Sequence, residues 1–217
     1  MVKRKNIQCL YGRFCQDCNN GGTIFDKNLK LIKSFPLDKI QLEKLVHSDI
    51  AKESWHILFS STEKMRTTIN SPKSQLLKYF ESEKYKNQDI IQKITVEQAL
   101  SEMNVIQISL AYETEEIANN YAKRINNEFE GAFLANMNLN CIDICAKGIN
   151  KAQGVKELLN LQKDKCFEQV LTIGDAQNDV PMIKEFEGYS LNSATMHAKN
   201  VATKLYDSVG EMLLDNM

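Results

Sequence analysis

The string Val170-Leu171-Thr172-Ile173-Gly174-Asp175-Ala176-Gln177-Asn178-Asp179-Val180-Pro181-Met182 sets two carboxylates four residues apart in a turn that follows an apolar run. Carboxylates are hard oxygen ligands, so Asp175 and Asp179 have the chemistry to hold a divalent cation. Gly174 allows a tight exit from a strand, and Pro181 suits a first helical turn. The same residues also fit a plainer role, in which Asp175 closes the turn and Asn178 or Asp179 caps the following helix. Upstream, Lys151 falls in a first helical turn, where a lysine on its own is ordinarily solvated. Asn20 and Asn192 could line a pocket, yet both lie beside Gly or Ser in turn-like runs where Asn is common. His47, His56 and His197 have no acidic or Cys partner near in sequence and read as structural or surface residues. Cys15-x-x-Cys18 is the only close cysteine pair of metal type, and without a second Cys/His pair at zinc spacing it reads as free thiols.

The elements that must position these residues follow from periodicity. Thr23 to Phe25 and Leu31 to Phe35 flank the turn cluster Asp26-Lys27-Asn28 and predict a hairpin ended by Pro36. Asp38 can cap a helix bearing Leu42, Leu45 and Val46, after which Trp55 to Phe59 reads as a strand and Ser71-Pro72 opens a helix carrying Leu76, Leu77 and Phe80. Thr95-Val96-Glu97-Gln98 has the form of a capping box, and Val105 to Ala111 alternates like a strand. Ile117, Ala118, Tyr121, Ala122, Ile125 and Phe129 recur at helical spacing, so Thr114 to Phe129 buries one face. Ala132 to Met137 and Asn140 to Ile144 are two short strands.

Beyond Ala146 the pattern becomes strand and helix in alternation: helix Asn150 to Leu161, strand Gln169 to Ile173, helix Asp179 to Phe186. That is the grammar of an α/β layer structure. A last helical stripe joins Ala194, Ala198, Val201, Ala202 and Leu205, and Val209 to Leu214 closes the chain. In an open parallel sheet ligands gather beyond the carboxyl ends of the strands, where Asp175 and Asp179 fall.

Composition bounds the function classes. The 217 residues suit a core plus an insertion, and 43% hydrophobic with 25% charged residues is ordinary globular material. A formal net charge of -1, from 27 basic and 28 acidic residues, gives no reason to expect nucleic acid or an anionic membrane as partner. No apolar run approaches the ~18 residues of a membrane span, no secretory stretch follows Lys3-Arg4-Lys5, and a cytoplasmic location is expected.

The 170–182 string resembles the last motif of the haloacid dehalogenase-like (HAD) phosphatases, Gly-Asp-x-x-Asn-Asp before an apolar helix, in the Cof-like subgroup with an inserted cap. Ile149-Asn150-Lys151-Ala152-Gln153-Gly154-Val155 resembles the family's Lys segment. Gly188-Tyr189-Ser190-Leu191-Asn192-Ser193-Ala194 with Ala198-Lys199 resembles its apolar-Gly-Asn-Ala segment, with Ser193 at the usual Asn, and Ala152 stands at the usual Gly after the Lys. Cys18-Asn19-Asn20-Gly21-Gly22-Thr23-Ile24-Phe25-Asp26 resembles the family's Asn-Gly-Ala strand. The likeness covers roughly Cys15 to the C-terminus. It omits Asp-x-Asp-x-Thr, whose first Asp is the family's nucleophile and which occurs nowhere in this chain.

The resemblance implies an α/β fold: an incomplete Rossmann-like HAD core from residues 1–36 and 147–217, with an α+β cap over 37–146. It implies Mg²⁺-dependent hydrolysis of a small phosphate ester, such as a phosphosugar, through an aspartyl-phosphate. Asp175 and Asp179 would anchor Mg²⁺, Lys151 would pair with nucleophile and phosphate, Asn178 would orient these groups, and Asn20 and Asn192 would face substrate. Without the nucleophile three expectations stand: a truncated, inactive homologue; one half of a split phosphatase, completed by another chain; or a non-catalytic module that holds a phosphorylated metabolite. Loss of the nucleophile strand also predicts an unpaired edge at Gln169 to Ile173, patched by Ile7 to Tyr11 or by dimerisation.

Overall fold

The computed structural model describes residues 15–26, 28–82, 91–161 and 169–216. The Ile7 to Tyr11 segment and the thiols of Cys15 and Cys18 lie outside the described residues. In chain order the strands and helices are β1 (Cys15–Cys18), β2 (Thr23–Asp26), β3 (Leu31–Ser34), α1 (Lys39–Val46), α2 (Asp49–Lys52), β4 (His56–Ser60), β5 (Met65–Ile69), α3 (Gln75–Glu81), β6 (Ile91–Lys93), α4 (Val96–Glu102), β7 (Gln107–Ala111), α5 (Glu115–Glu128), β8 (Phe133–Asn138), β9 (Cys141–Ala146), α6 (Lys151–Leu161), β10 (Ile173–Gly174), α7 (Val180–Glu185), β11 (Tyr189–Leu191), α8 (Met196–Lys199), β12 (Leu205–Tyr206) and α9 (Val209–Asp215). They divide into two compact units, one of Ser34–Ile149 and one of the described residues of Met1–Lys33 and Asn150–Met217.

The inserted unit is a six-stranded sheet in the order β6-β5-β4-β7-β9-β8. All neighbours are antiparallel except β5 and β6, which run parallel. One face is apolar. Ile57 and Phe59 of β4, Ile108 and Leu110 of β7, and Ile142 and Ile144 of β9 pack with Leu42 and Leu45 of α1 and Ala118, Ala122 and Ile125 of α5. Burying such side chains stabilises the unit by roughly 1.5–3 kcal/mol each. Its helices start where local chemistry dictates. Asp38 Oδ1 accepts from the Gln41 N–H at 2.8 Å, Thr114 accepts from Ile117, and Thr95 with Gln98 closes a full capping box. His56 is buried, its Nδ1 lies 2.8 Å from Ser74 Oγ, and burial pushes its pKa down to about 4.

Helix α3 begins at Gln75, three residues later than the Ser71-Pro72 signal predicts. Ser71 instead accepts the Ser74 N–H in a turn, and Ser74 Oγ accepts the Leu76 N–H.

The second unit holds two small sheets, β1-β2-β3 and the parallel β10-β11-β12. The strand expected over Gln169 to Ile173 is confined to Ile173–Gly174, which pairs in parallel with β11. The helical stripe from Ala194 to Leu205 is also corrected. Helix α8 ends at Lys199, and Leu205–Tyr206 pairs in parallel with β11. Thr203 switches the chain from helix to strand by donating its N–H to Gly188 O at 2.9 Å and its hydroxyl to Glu187 O at 2.7 Å. The apolar stripe still packs together, with Ala194 and Ala198 against Ile183 and with Val201 and Ala202 beside them. Here pairing between distant strands overrides a local helical period.

Candidate active site

Helix α6 brings Lys151 to the site. Asn150 caps it, its Oδ1 accepting the Gln153 N–H at 3.0 Å, so Lys151 occupies the first helical position. The one-turn helix Asn19–Gly21 rests on this helix start. A Cβ on Gly21 would lie 2.3 Å from Asn150 O, and Gly21 adopts φ +95, so both space and backbone require glycine there. Asn19 and Asn20 also sit at positive φ, which Asn tolerates better than other side-chain-bearing residues.

The carboxylate turn leaves the carboxyl end of β10. Gly174 is needed here for proximity rather than for an unusual φ: a Cβ would lie 2.3 Å from Asp179 Cβ and 2.7 Å from its Cγ. Asp179 folds back over this spot and is 3% exposed. Its Oδ2 accepts the Asp175 N–H at 2.9 Å and the Ala176 N–H at 3.0 Å, while its Oδ1 accepts a hydrogen bond from the Lys151 ammonium. Burial alone would push the Asp179 carboxyl up. The Lys151 ammonium and the two backbone N–H groups outweigh it and hold the group below the usual carboxylate range.

Asp175 itself is exposed, and its backbone is held at both ends: the N–H by Asp179, the carbonyl by the Thr195 N–H at 2.9 Å. Ser190, fully buried, donates its hydroxyl to Gly174 O at 2.7 Å. Thr195 and Ser190 were not foreseen from the sequence. The only sequence signal for Thr195 is that it precedes a short helix, and Ser190 in mid-strand carries none.

The structure thus gathers Asn20, Lys151, Asp175, Asn178 and Asp179 in one unit. Asn178 Nδ2 donates to Asn20 Oδ1 at 3.3 Å, and Asn178 Oδ1 is buried without a hydrogen-bond partner among the described residues. Asn192 follows β11, which pairs with β10. It is exposed at the end of β11, donating its Nδ2 to Asp207 Oδ1 at 2.6 Å and its N–H to Tyr206 O at 2.9 Å.

The fit to Mg²⁺ is uneven across this donor set. Asp175 offers a free carboxylate, and the orphaned Asn178 Oδ1 is a hard oxygen of the right type. The Asp179 oxygens already serve three donors. No cluster of three or more His, Cys, Asp or Glu with metal-binding spacing occurs among the described residues. One carboxylate and one amide oxygen suit a loosely held Mg²⁺ that takes its other ligands from water and phosphate.

Comparison with known proteins agrees with this architecture. The family model of haloacid dehalogenase-like hydrolases matches residues 7–211. No curated protein matches the sequence. Among solved structures, the HAD subclass IIB sugar phosphatase BT4131 superposes with a TM-score of 0.71 at 17% identity, over 91% of this chain and 73% of that one. SMU.1108c from Streptococcus mutans UA159 gives 0.72 at 18%, over 91% and 74%. A haloacid dehalogenase-like hydrolase from Bacteroides thetaiotaomicron gives 0.66 at 19%, over 91% and 74%. At such identities the superpositions speak to the fold, an α/β arrangement of HAD Rossmann-like type. With a family match spanning nearly the whole sequence, the chain belongs to the haloacid dehalogenase-like hydrolases.

Proposed function

We propose that this chain holds a small phosphate ester, of phosphosugar type, with Mg²⁺ at the Asp175 turn, and that a polypeptide of this sequence alone does not hydrolyse it. The observation that carries the reading is the Lys151–Asp179 pair clamped to the backbone of Asp175 at the carboxyl end of β10. Lys151 keeps 31% of its side chain exposed, so it has donors left for a phosphate oxygen beside the one given to Asp179. Asp175 and Asn178 Oδ1 would hold the metal, which supplies charge neutralisation at the phosphate. Asn178 is steadied by Asn20. The covalent step of the family needs a carboxylate nucleophile, and the sequence has no Asp-x-Asp at any position.

The test is an aryl phosphate assay with Mg²⁺, beside inorganic phosphate binding followed by NMR. Weak, Mg²⁺-dependent phosphate binding without turnover is expected. Turnover well above buffer that disappears in Asp175→Ala would overturn the inactive reading.

A second reading, completion by another polypeptide, is favoured by one observation: the family match spans residues 7–211, yet the sequence holds no Asp-x-Asp-x-Thr. A segment carrying that motif, supplied by another chain, would bring the nucleophile. Adding such a peptide to the purified chain should produce turnover. Silence at saturating peptide would refute this reading, and a dimer seen by light scattering would point to a second copy instead.

A further inference from the structure

The sheet of the inserted unit ends on one side in β8, which pairs with β9 and, among the described residues, with no other strand. A bare strand edge is a template for another chain, and proteins blunt it with short length, charge or proline. The opposite edge follows that rule: β6 is three residues long and ends in Lys93. β8 does not. Its six residues, Phe-Leu-Ala-Asn-Met-Asn, carry neither charge nor proline.

The register shows which groups face outward. Lys147 donates its N–H to Ala132 O, so the hydrogen-bonded pairs of β8 and β9 run through Leu134–Cys145, Asn136–Asp143 and Asn138–Cys141. Phe133, Ala135 and Met137 therefore turn their N–H and C=O groups away from β9. Ala135 lies at the centre of this edge, and a side chain fills the place of a further strand there. Asn126 Oδ1 of α5 accepts the Ala135 N–H at 2.9 Å, and Asn126 Nδ2 donates to Ala135 O at 2.9 Å. A carboxamide sets an acceptor beside its donors, as the peptide groups of a neighbouring strand would. The Phe133 N–H is taken in turn by Phe129 O at 3.0 Å.

We infer that Asn126 is an edge plug, which keeps the inserted unit from pairing through β8 with a second copy of this chain. The second copy is the partner held off because the edge is self-complementary. Two β8 strands set antiparallel about Ala135 would match Ala135 with Ala135 and Phe133 with Met137, each outward N–H meeting an outward C=O. Phe133, Ala135 and Met137 all pack on the apolar face, so the pairing would also carry that face across the junction.

The test compares the intact native chain with Asn126→Ala by amide hydrogen exchange and by sedimentation velocity over a range of concentrations. Asn126 is half-buried in a helix, where Ala is the better helix former, so the variant should fold. In dilute solution its Ala135 amide should exchange about tenfold or more faster than in the native chain. Its self-association should be tighter by about tenfold or more, as the two symmetry-related Ala135 hydrogen bonds would supply, and the Ala135 amide should slow again as concentration rises. Adding Asn136→Lys places a charge on the same edge and should return association to the native level.

Unchanged exchange at Ala135 in Asn126→Ala would overturn the plug. Faster exchange without tighter association would overturn its role against a second copy. So would association that persists after Asn136→Lys, because it would run through another surface.

Discussion

Replacing Lys151 by Met removes the cation that faces Asp179 and keeps most of the apolar stem. Asp179 is 4% exposed, so the change leaves a buried carboxylate without its counter-charge. Breaking a buried pair in this way typically costs about 3–5 kcal/mol. Two features move the expectation to the lower end. The Lys151 side chain is 31% exposed, so water reaches its end of the pair, and the Asp175 and Ala176 N–H groups stay on Oδ2. A loss of about 2–3 kcal/mol at pH 7 is therefore expected. Urea unfolding followed by circular dichroism measures it.

The pH dependence has a definite sign. The folded Asp179 carboxyl lies below its ordinary value, so the stability it contributes is full above the unfolded carboxylate pKa and is lost as pH falls through the folded one. The gap between Lys151→Met and the native chain should accordingly close in acid, since a protonated Asp179 no longer needs a cation. The double variant Lys151→Met/Asp179→Asn should be less destabilised than the sum of the two single changes. A Lys151→Met variant within about 0.5 kcal/mol of the native chain at pH 7, with a gap that acid does not alter, would refute the clamp as an energetic unit.

Other expectations are simpler. His56, with a folded pKa of about 4, is held neutral, so the inserted unit should lose stability as pH falls from about 6.5 towards 4, by up to about 3 kcal/mol. An NMR titration placing His56 near 6.5 would contradict this. Gly21→Ala should cost about 1–3 kcal/mol or more, because it combines an unfavourable φ with an overlap against Asn150 O; a neutral melting point would mean that the Asn19–Gly21 turn does not rest on α6. Gly188→Ala should destabilise the β10–β11 region similarly, since its Cβ would meet Thr172 Oγ1 at 2.0 Å, and unchanged amide exchange at Tyr189 would argue otherwise.

The parts of the fold legible in the sequence are those decided by neighbours in the chain. Asp38, Thr95 and Thr114 announce their helices because a cap needs only three or four residues, and α5 shows its buried face because its period survives over four turns. The α/β class also follows from such local alternation. What was hidden depends on partners far along the chain. Leu205 looks helical until β11 claims it. At the candidate site, Asp175 and Asp179 look alike in sequence, whereas only Asp179 is folded back onto backbone N–H groups beside Gly174, a difference that leaves little mark on a one-dimensional string.

The discontinuity of the second unit has a kinetic consequence. Gly21 must meet Asn150, and Lys33 must meet Glu157 at 2.8 Å, with all of Ser34–Ile149 threaded between them. Closing so long a flexible loop costs on the order of 4 kcal/mol of chain entropy. An insertion that has already collapsed behaves as a much shorter tether. The order of events is thus written into the connectivity: Ser34–Ile149, with its own core and its mostly antiparallel sheet, should acquire structure first, and the seat of Lys151 should assemble afterwards. Damage to the buried face of α5 would then delay the assembly of a site to which α5 contributes no residue.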